Sequence, residues 1–232
     1  MTSHTRYAVY FAPERGSPLA LFGAAWLGWD ADAGCEVAHP PIPPGVPKTP
    51  VAEITATPRK YGFHGTLKPP FRLADSTTRA GLETAIAALA ARKPAFEIPA
   101  LRLARLGWFL ALVPGEASAA LADLAFDCVR MLDRFRAPLS AAELARRRAA
   151  HLTPREEELL ARWGYPYVDD AFRFHLTLSG ALVPDRLAKA EAALAPLVAP
   201  LCAAPLPVRE ICLFGEASDG HFHILRRFPL AR

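Results

Sequence analysis

Residues 63–67 read Phe63-His64-Gly65-Thr66-Leu67, and residues 174–178 read Phe174-His175-Leu176-Thr177-Leu178. Successive side chains of a strand point to opposite faces. His64, Thr66 and Lys68 are therefore expected on one face of the first strand, with Phe63 and Leu67 on the other. In the second, Arg173, His175, Thr177 and Ser179 share a face while Phe174, Leu176 and Leu178 turn inward. Each strand thus presents an imidazole beside a hydroxyl, with a cation nearby on the same face. A lone His-x-Thr carries little information, because both residue types occur in strands for packing reasons. Two copies with matching flanks form a pattern.

Working outward from these strands, aromatic and β-branched runs predict further strands over 7–11, 96–103, 107–113, 208–214 and 221–228. The two quoted runs extend to 63–68, ended by Pro69-Pro70, and to 172–178. Helices are predicted over 19–29, 75–91, 117–135 and 185–198, with Asp75 or Ser76 capping the second. Two more helices, charged and arginine-rich, fall within 139–163, and Thr153-Pro154-x-Glu156 starts the later one well. A connection over 36–60 carries seven prolines, among them Pro43, Pro44 and Pro47, and reads as a stiff loop. The order strand, helix, connection, His-x-Thr strand, helix, strand occurs twice, over about 5–104 and about 107–214. A closing strand follows at 221–228. This self-similarity predicts one domain over 1–232 with an internal duplication, an α+β fold of two like lobes, and a helical insertion at about 139–163 in the second lobe only.

The residue types suit phosphoester cleavage. Imidazole titrates near neutrality, so one histidine can hold a proton while the other lacks it. In-line displacement at phosphorus needs a base on one side and an acid on the other, and His64 and His175 supply that pair. Thr66 and Thr177 can donate hydrogen bonds to the non-bridging oxygens, and Lys68 and Arg173 would oppose the charge gathering there. Which histidine is base and which acid is left open by the sequence.

Composition bounds the rest. The chain has 232 residues, 52% hydrophobic and 22% charged, ample for a sizeable core and unlike a disordered chain. Its net charge of +4 suits a phosphate-bearing substrate but is too small to diagnose nucleic-acid binding. The four cysteines form no Cys-x-x-Cys pair, and they read as reduced thiols in a cytoplasmic protein. The N-terminus lacks the features of a signal sequence, and the apolar stretch over 19–29 is too short to span a bilayer. No membrane association and no obligate protein partner are expected.

The paired motif and its surroundings, RKYGFHGTLKPPFRLA and FRFHLTLSG, resemble the two-histidine (2H) phosphoesterase superfamily, which includes the bacterial RNA 2′,3′-cyclic phosphodiesterase/ligase-like (LigT-like) proteins. They are most similar to a bacterial branch often encoded beside phosphonate-utilisation genes. The resemblance implies duplicated antiparallel sheets with outer helices around a central cleft. It implies catalysis without metal or cofactor, with His64 and Thr66 from the first motif and His175 and Thr177 from the second. The implied substrate is a cyclic phosphate, such as a sugar cyclic phosphate in phosphonate metabolism. An RNA or nucleotide 2′,3′-cyclic phosphate is the alternative, and a non-catalytic nucleotide- or RNA-binding module is another. The proline-rich connection and the insertion depart from the shorter RNA-processing members.

Other residues compete for roles. Tyr10 and Lys60 are candidate substrate contacts, with Arg6 and Arg59 beside them, although strand tyrosines usually pack in the core and loop cations are usually solvated. Arg134, Arg136 and Arg146–Arg148 can form a phosphate-gripping lid, or simply a solvated helical face. His221-x-His223 offers two ligands on one strand face, short of the three or four that zinc requires.

Overall fold

In chain order the computed structural model, which describes residues 4–42 and 50–232, begins with β1 (Tyr7–Phe11), α1 (Pro18–Leu27), β2 (Trp29–Asp30), β3 (Cys35–Glu36), α2 (Val51–Ile54) and α3 (Ala56–Arg59). Next come β4 (Gly65–Phe71), α4 (Arg79–Ala90), β5 (Phe96–Ile98), β6 (Leu101–Leu106), β7 (Phe109–Pro114) and α5 (Ala119–Met131). Helices α6 (Ala141–Arg148) and α7 (Pro154–Trp163) precede β8 (Leu176–Thr177), α8 (Pro184–Cys202), β9 (Leu206–Val208), β10 (Glu210–Glu216) and β11 (Phe222–Pro229). The first three residues, and Pro43, Pro44 and Pro47 of the connection, lie outside the described residues.

The fold is α+β, and its strand pairings are antiparallel. Strands from both halves join one seven-stranded sheet in the order β11-β10-β1-β4-β8-β7-β6. β5 leaves it to pair with β9 in a separate ribbon. The run predicted over 96–103 splits at Pro99, whose ring cannot donate to a ladder.

β1 shows how the sheet divides its two faces. Tyr7, Val9 and Phe11 join the main core with residues of α1, α4, α5 and α8, while Ala8 and Tyr10 pack on the opposite face with Phe214 and Phe222. The helical layer is tied to the centre of the sheet by Trp26 of α1, whose buried indole N–H donates to the Leu178 carbonyl at 2.8 Å. α1 ends as its sequence demands, with Gly28 at φ 77° closing the last turn. α4 starts at Thr78 rather than at Asp75 or Ser76, because the Thr78 hydroxyl accepts the Gly81 N–H.

β4 departs most from expectation. It runs through Pro69 and Pro70 instead of stopping before them. Its register against β1 slips twice, pairing Tyr10 with Thr66, Val9 with Lys68 and Tyr7 with Phe71. An extra β4 residue sits in each interval, and the second slip spans the prolines, whose missing N–H groups cost no ladder bond there. β8 is shorter than predicted at both ends. After the 3-10 turn Asp169–Ala171 the Arg173 carbonyl turns to the His175 ring, and pairing begins only at Leu176. The strand ends where the N–H groups of Leu178 and Ser179 converge on the one carbonyl of Leu110.

Candidate active site

The two His-x-Thr motifs meet at the centre of the sheet. Gly65 of β4 pairs with Leu176 of β8, so the antiparallel register sets His64 across from Thr177 and Thr66 across from His175. Gly65 is required there by its neighbour: a Cβ at that position would meet the Phe174 ring at 2.3 Å. The middle residue of the second motif, Leu176, instead fills the core.

Both imidazoles are oriented in the same way. His64 Nδ1 lies 2.9 Å from the Gly62 carbonyl and His175 Nδ1 lies 2.7 Å from the Arg173 carbonyl. A carbonyl only accepts, so each Nδ1 carries a proton and each Nε2 is turned away from the backbone. Gly62 reaches its position at φ 72°, in the left-handed region that favours glycine. The Thr66 hydroxyl donates to His64 Nε2 at 3.3 Å, and Tyr10 stacks on the His64 ring with centroids 3.7 Å apart. Burial, together with the nearby His175, pushes His64 down to about 4. Burial also lowers His175, against the hydrogen bond to Arg173.

A cleft of about 590 Å³ opens over these groups, lined by His64, Thr66 and Thr177. A second cavity of about 400 Å³ holds His175 and Arg173, and the two share Thr66, Pro69, Phe109 and Tyr165. Arg6, Lys60, Arg146 and Arg147 also line the first cleft, and among the described residues no carboxylate does.

Several expected site residues find other places. Lys68 does not face the cleft. The first β4 slip turns it to the helical side with Leu67, where it is 2% exposed. Its ammonium donates to the Val129 carbonyl at 3.1 Å, one of the unpaired carbonyls ending α5, and lies 3.7 Å from Asp133. Burial lowers Lys68 to about 8. Arg173 borders His175, but its guanidinium folds back onto the carbonyls of Asp170 and Phe172, leaving the backbone to orient the histidine. Ser179 does line the cleft, but it is almost fully buried, with its hydroxyl accepting the Leu110 N–H and donating to the Gly180 carbonyl. Tyr10 lines the cleft while only 1% exposed, so its main surface supports His64. Arg59 braces the preceding loop through the carbonyls of Leu27 and Ala52, whereas Lys60 does reach the cleft.

Of the arginines on and before α6, Arg136 pairs with Asp133 and Arg148 with Glu157, and only Arg146 and Arg147 line the cleft. Sequence reasoning missed Tyr61, Phe109 and Tyr165, which lack any periodic signal and reach the cleft through loop and strand ends. His221 and His223 pack on Trp29, with ring centroids 4.3 and 5.3 Å away. Among the described residues no group of three His, Cys, Asp or Glu could hold a metal ion. None of the described helices is long and apolar enough to cross a membrane.

Seven sheet strands, helices on one face and paired imidazoles above the other define an α+β protein whose two His-x-Thr motifs meet at two adjoining strands. The chain belongs to the family described as "Protein of unknown function (DUF1045)", whose model matches residues 66–223. It is similar to a protein of Janthinobacterium sp. (strain Marseille) named ribose 1,5-bisphosphate phosphokinase PhnN, 42% identical over 181 residues, covering 78% of this chain and 40% of that protein. A protein of the same name from Laribacter hongkongensis (strain HLHK9) is 37% identical over 191 residues, covering 81% and 44%. The chain thus spans less than half the length of these curated relatives. Among solved structures, E. coli LigT complexed with phosphate aligns over 99% of this chain and all of that one, at 15% identity and a TM-score of 0.44. A structure described as a phosphoesterase aligns over the same shares at 16% identity and a TM-score of 0.41.

Proposed function

We propose that the chain is a metal-independent phosphoesterase that opens a cyclic phosphodiester, a small sugar cyclic phosphate, to a phosphomonoester. The observation that carries this reading is the pair of imidazoles at adjoining strands, each with Nδ1 tied to the carbonyl two residues before it and Nε2 turned away from the backbone, that of His64 beside the Thr66 hydroxyl. Binding alone has no need of two such groups.

His64, with the larger depression, stays neutral and acts as the base. It removes a proton from water, and the water oxygen bonds to phosphorus. The ring P–O bond opposite breaks, and the departing oxygen takes the proton carried by His175. Thr66 and Thr177 donate to the non-bridging oxygens, where negative charge builds. Lys68 has no part in this scheme, because it lies under the sheet. The sites of the two motifs belong to the two halves, about 5–104 and 107–214, which we read as an internal duplication with α6 and α7 inserted in the second.

The name of the curated relatives supports a sugar phosphate and a setting in phosphonate metabolism. A kinase reading is less well supported, since the chain has no G-x-x-x-x-G-K-[ST] loop to cradle nucleotide phosphates. The test is a panel of sugar and nucleotide cyclic phosphates, with products followed by phosphorus NMR in excess EDTA. Ring opening of a sugar cyclic phosphate is expected. Turnover restricted to RNA ends would transfer the reading to RNA, and turnover that needs added zinc or manganese would end the two-histidine scheme.

A further inference from the structure

The cations of the cleft outnumber what a cyclic phosphate needs. Arg6 is already paired with Glu216, its Nε 2.7 Å from the carboxylate. Lys60, Arg146 and Arg147 have no ion pair among the described residues. Among the described residues no ion pair offsets these three cations, and no carboxylate lines the cleft. A cyclic phosphodiester carries a single negative charge, and a terminal phosphomonoester adds roughly 1.5 to 2 more near neutral pH.

Arg147 is the informative member. Its guanidinium lies over the Tyr165 ring, 4.7 Å from the centroid, and its Nε is buried without a hydrogen-bond partner. A buried donor left unmade is costly, and a charged one more so, unless a ligand completes it. The neighbouring Arg148, by contrast, is spent on Glu157 of α7.

The helix that carries these arginines is firmly held. Ser140 and Glu143 form a capping box at the start of α6. Glu143 also accepts from Arg72, the residue after β4, at 3.0 Å. That anchor ties the first turn of α6 to the strand carrying Thr66, while the Arg148–Glu157 pair fixes its last turn.

We propose that Arg147, with Arg146 and Lys60, forms a second anion subsite, which takes a terminal phosphomonoester borne by the same molecule whose cyclic phosphate meets the histidines. This rests on the cyclic-phosphate reading above. Arg147 supplies the directional N–H groups, Tyr165 holds its plane, and Arg146 and Lys60 add charge from the rim.

Equilibrium binding tests the subsite without any turnover, using adenosine 3′-phosphate, adenosine 3′,5′-bisphosphate and the dinucleotide ApAp as probes. The bisphosphate should bind the wild-type protein about 10-fold to 100-fold more tightly than the monophosphate, as expected for charge-assisted bonds to one added phosphate. In Arg147→Ala that advantage should shrink to within about threefold, and Arg147→Lys should recover only part of it. Thr66→Ala should weaken both mononucleotides alike. Melting curves of each variant establish that the fold persists, and Arg146→Ala, at an exposed position, provides a second variant. Equal binding of the two mononucleotides by the wild-type protein overturns the subsite, as does an equal loss of both in Arg147→Ala. If ApAp gains as much as the bisphosphate, the subsite reads an internal phosphodiester, and the terminal-monoester proposal falls. Failure to hydrolyse any cyclic phosphate, with these affinities as expected, would instead remove the catalytic reading and leave the subsite standing.

Discussion

At His64 the stacked Tyr10 ring and the Gly62 carbonyl fix one imidazole face and one nitrogen, so environment alone sets its protonation. A pKa pushed down to about 4 keeps it neutral across the physiological range. The kcat/KM profile should therefore be a bell whose acidic limb lies near pH 4. A phosphate anion beside the imidazoles favours their charged form. The alkaline limb of kcat should then stand at higher pH than that of kcat/KM, and ligand binding at pH 6–7 should take up protons. Titration calorimetry in buffers of different ionisation heat measures that uptake, and heats independent of the buffer would exclude it. His64→Ala and His175→Ala should each lower kcat by about 10²–10⁴-fold. The double variant should be scarcely worse than the poorer single, because both groups serve one displacement. A single variant with wild-type kcat would show that its histidine is not catalytic. Lys68 offers the opposite case. Lys68→Met replaces a buried ammonium by an apolar chain of similar length, and Asp133 keeps Arg136. Stability should change by no more than about 1–2 kcal/mol, one buried hydrogen bond being at stake. kcat/KM should stay within about threefold of wild type, whereas a hundredfold loss would return Lys68 to the cleft.

The element that decides the site is the β4–β8 pair, joined through Gly65 and Leu176. Gly65→Ala forces a Cβ to within 2.3 Å of the Phe174 ring and must drive the strands apart. Overpacking of this kind costs about 1–3 kcal/mol. The displacement should also lower kcat by up to about 100-fold, since reacting groups tolerate little misplacement. Trimming the obstacle in Gly65→Ala/Phe174→Leu should recover part of both losses, and thermal melts with single-turnover rates would reveal it. Indifference of both variants would mean that the two strands are not in register at Gly65. The same pair explains how much was legible beforehand. Alternation placed His64 with Thr66 and His175 with Thr177 correctly, because parity is a property of a few consecutive residues. It failed at Lys68, one slip further on, because a bulge depends on the partner strand β1, over fifty residues away in the chain.

For the molecule as a whole, the depressed histidines make stability depend on pH. His64 is neutral when folded down to about pH 4 but takes a proton near 6.5 when unfolded. The unfolded chain thus binds more protons between these values, and stability present above about pH 6.5 is lost as pH falls toward 4. Asp32, Glu83, Asp127, Glu143 and Glu216 are all held below their usual carboxylate values, so their losses come at lower pH than this window. Tm should therefore drop between pH 7 and pH 4.5, and drop less in His64→Gln. Parallel curves for the two proteins would mean that His64 is solvated in the folded state.

Short-range information in the chain located most of the longer strands and helices, the Thr153-Pro154 helix start, the pairing of imidazole with hydroxyl and the two copies of the motif. Each depends on local steric periodicity, capping or spacing, which neighbours in sequence settle among themselves. Such information did not locate the short helices α2 and α3, which the connection over 36–60 holds instead of a plain loop. Tertiary structure alone decided that the copies adjoin in one sheet, that each Nδ1 meets a carbonyl, and that Lys68 turns under the sheet. It also brought Arg146 and Arg147 of α6 to a cleft otherwise built around β4 and β8. These outcomes join segments far apart in the chain, and their geometry follows from register and burial against partners that no local pattern identifies.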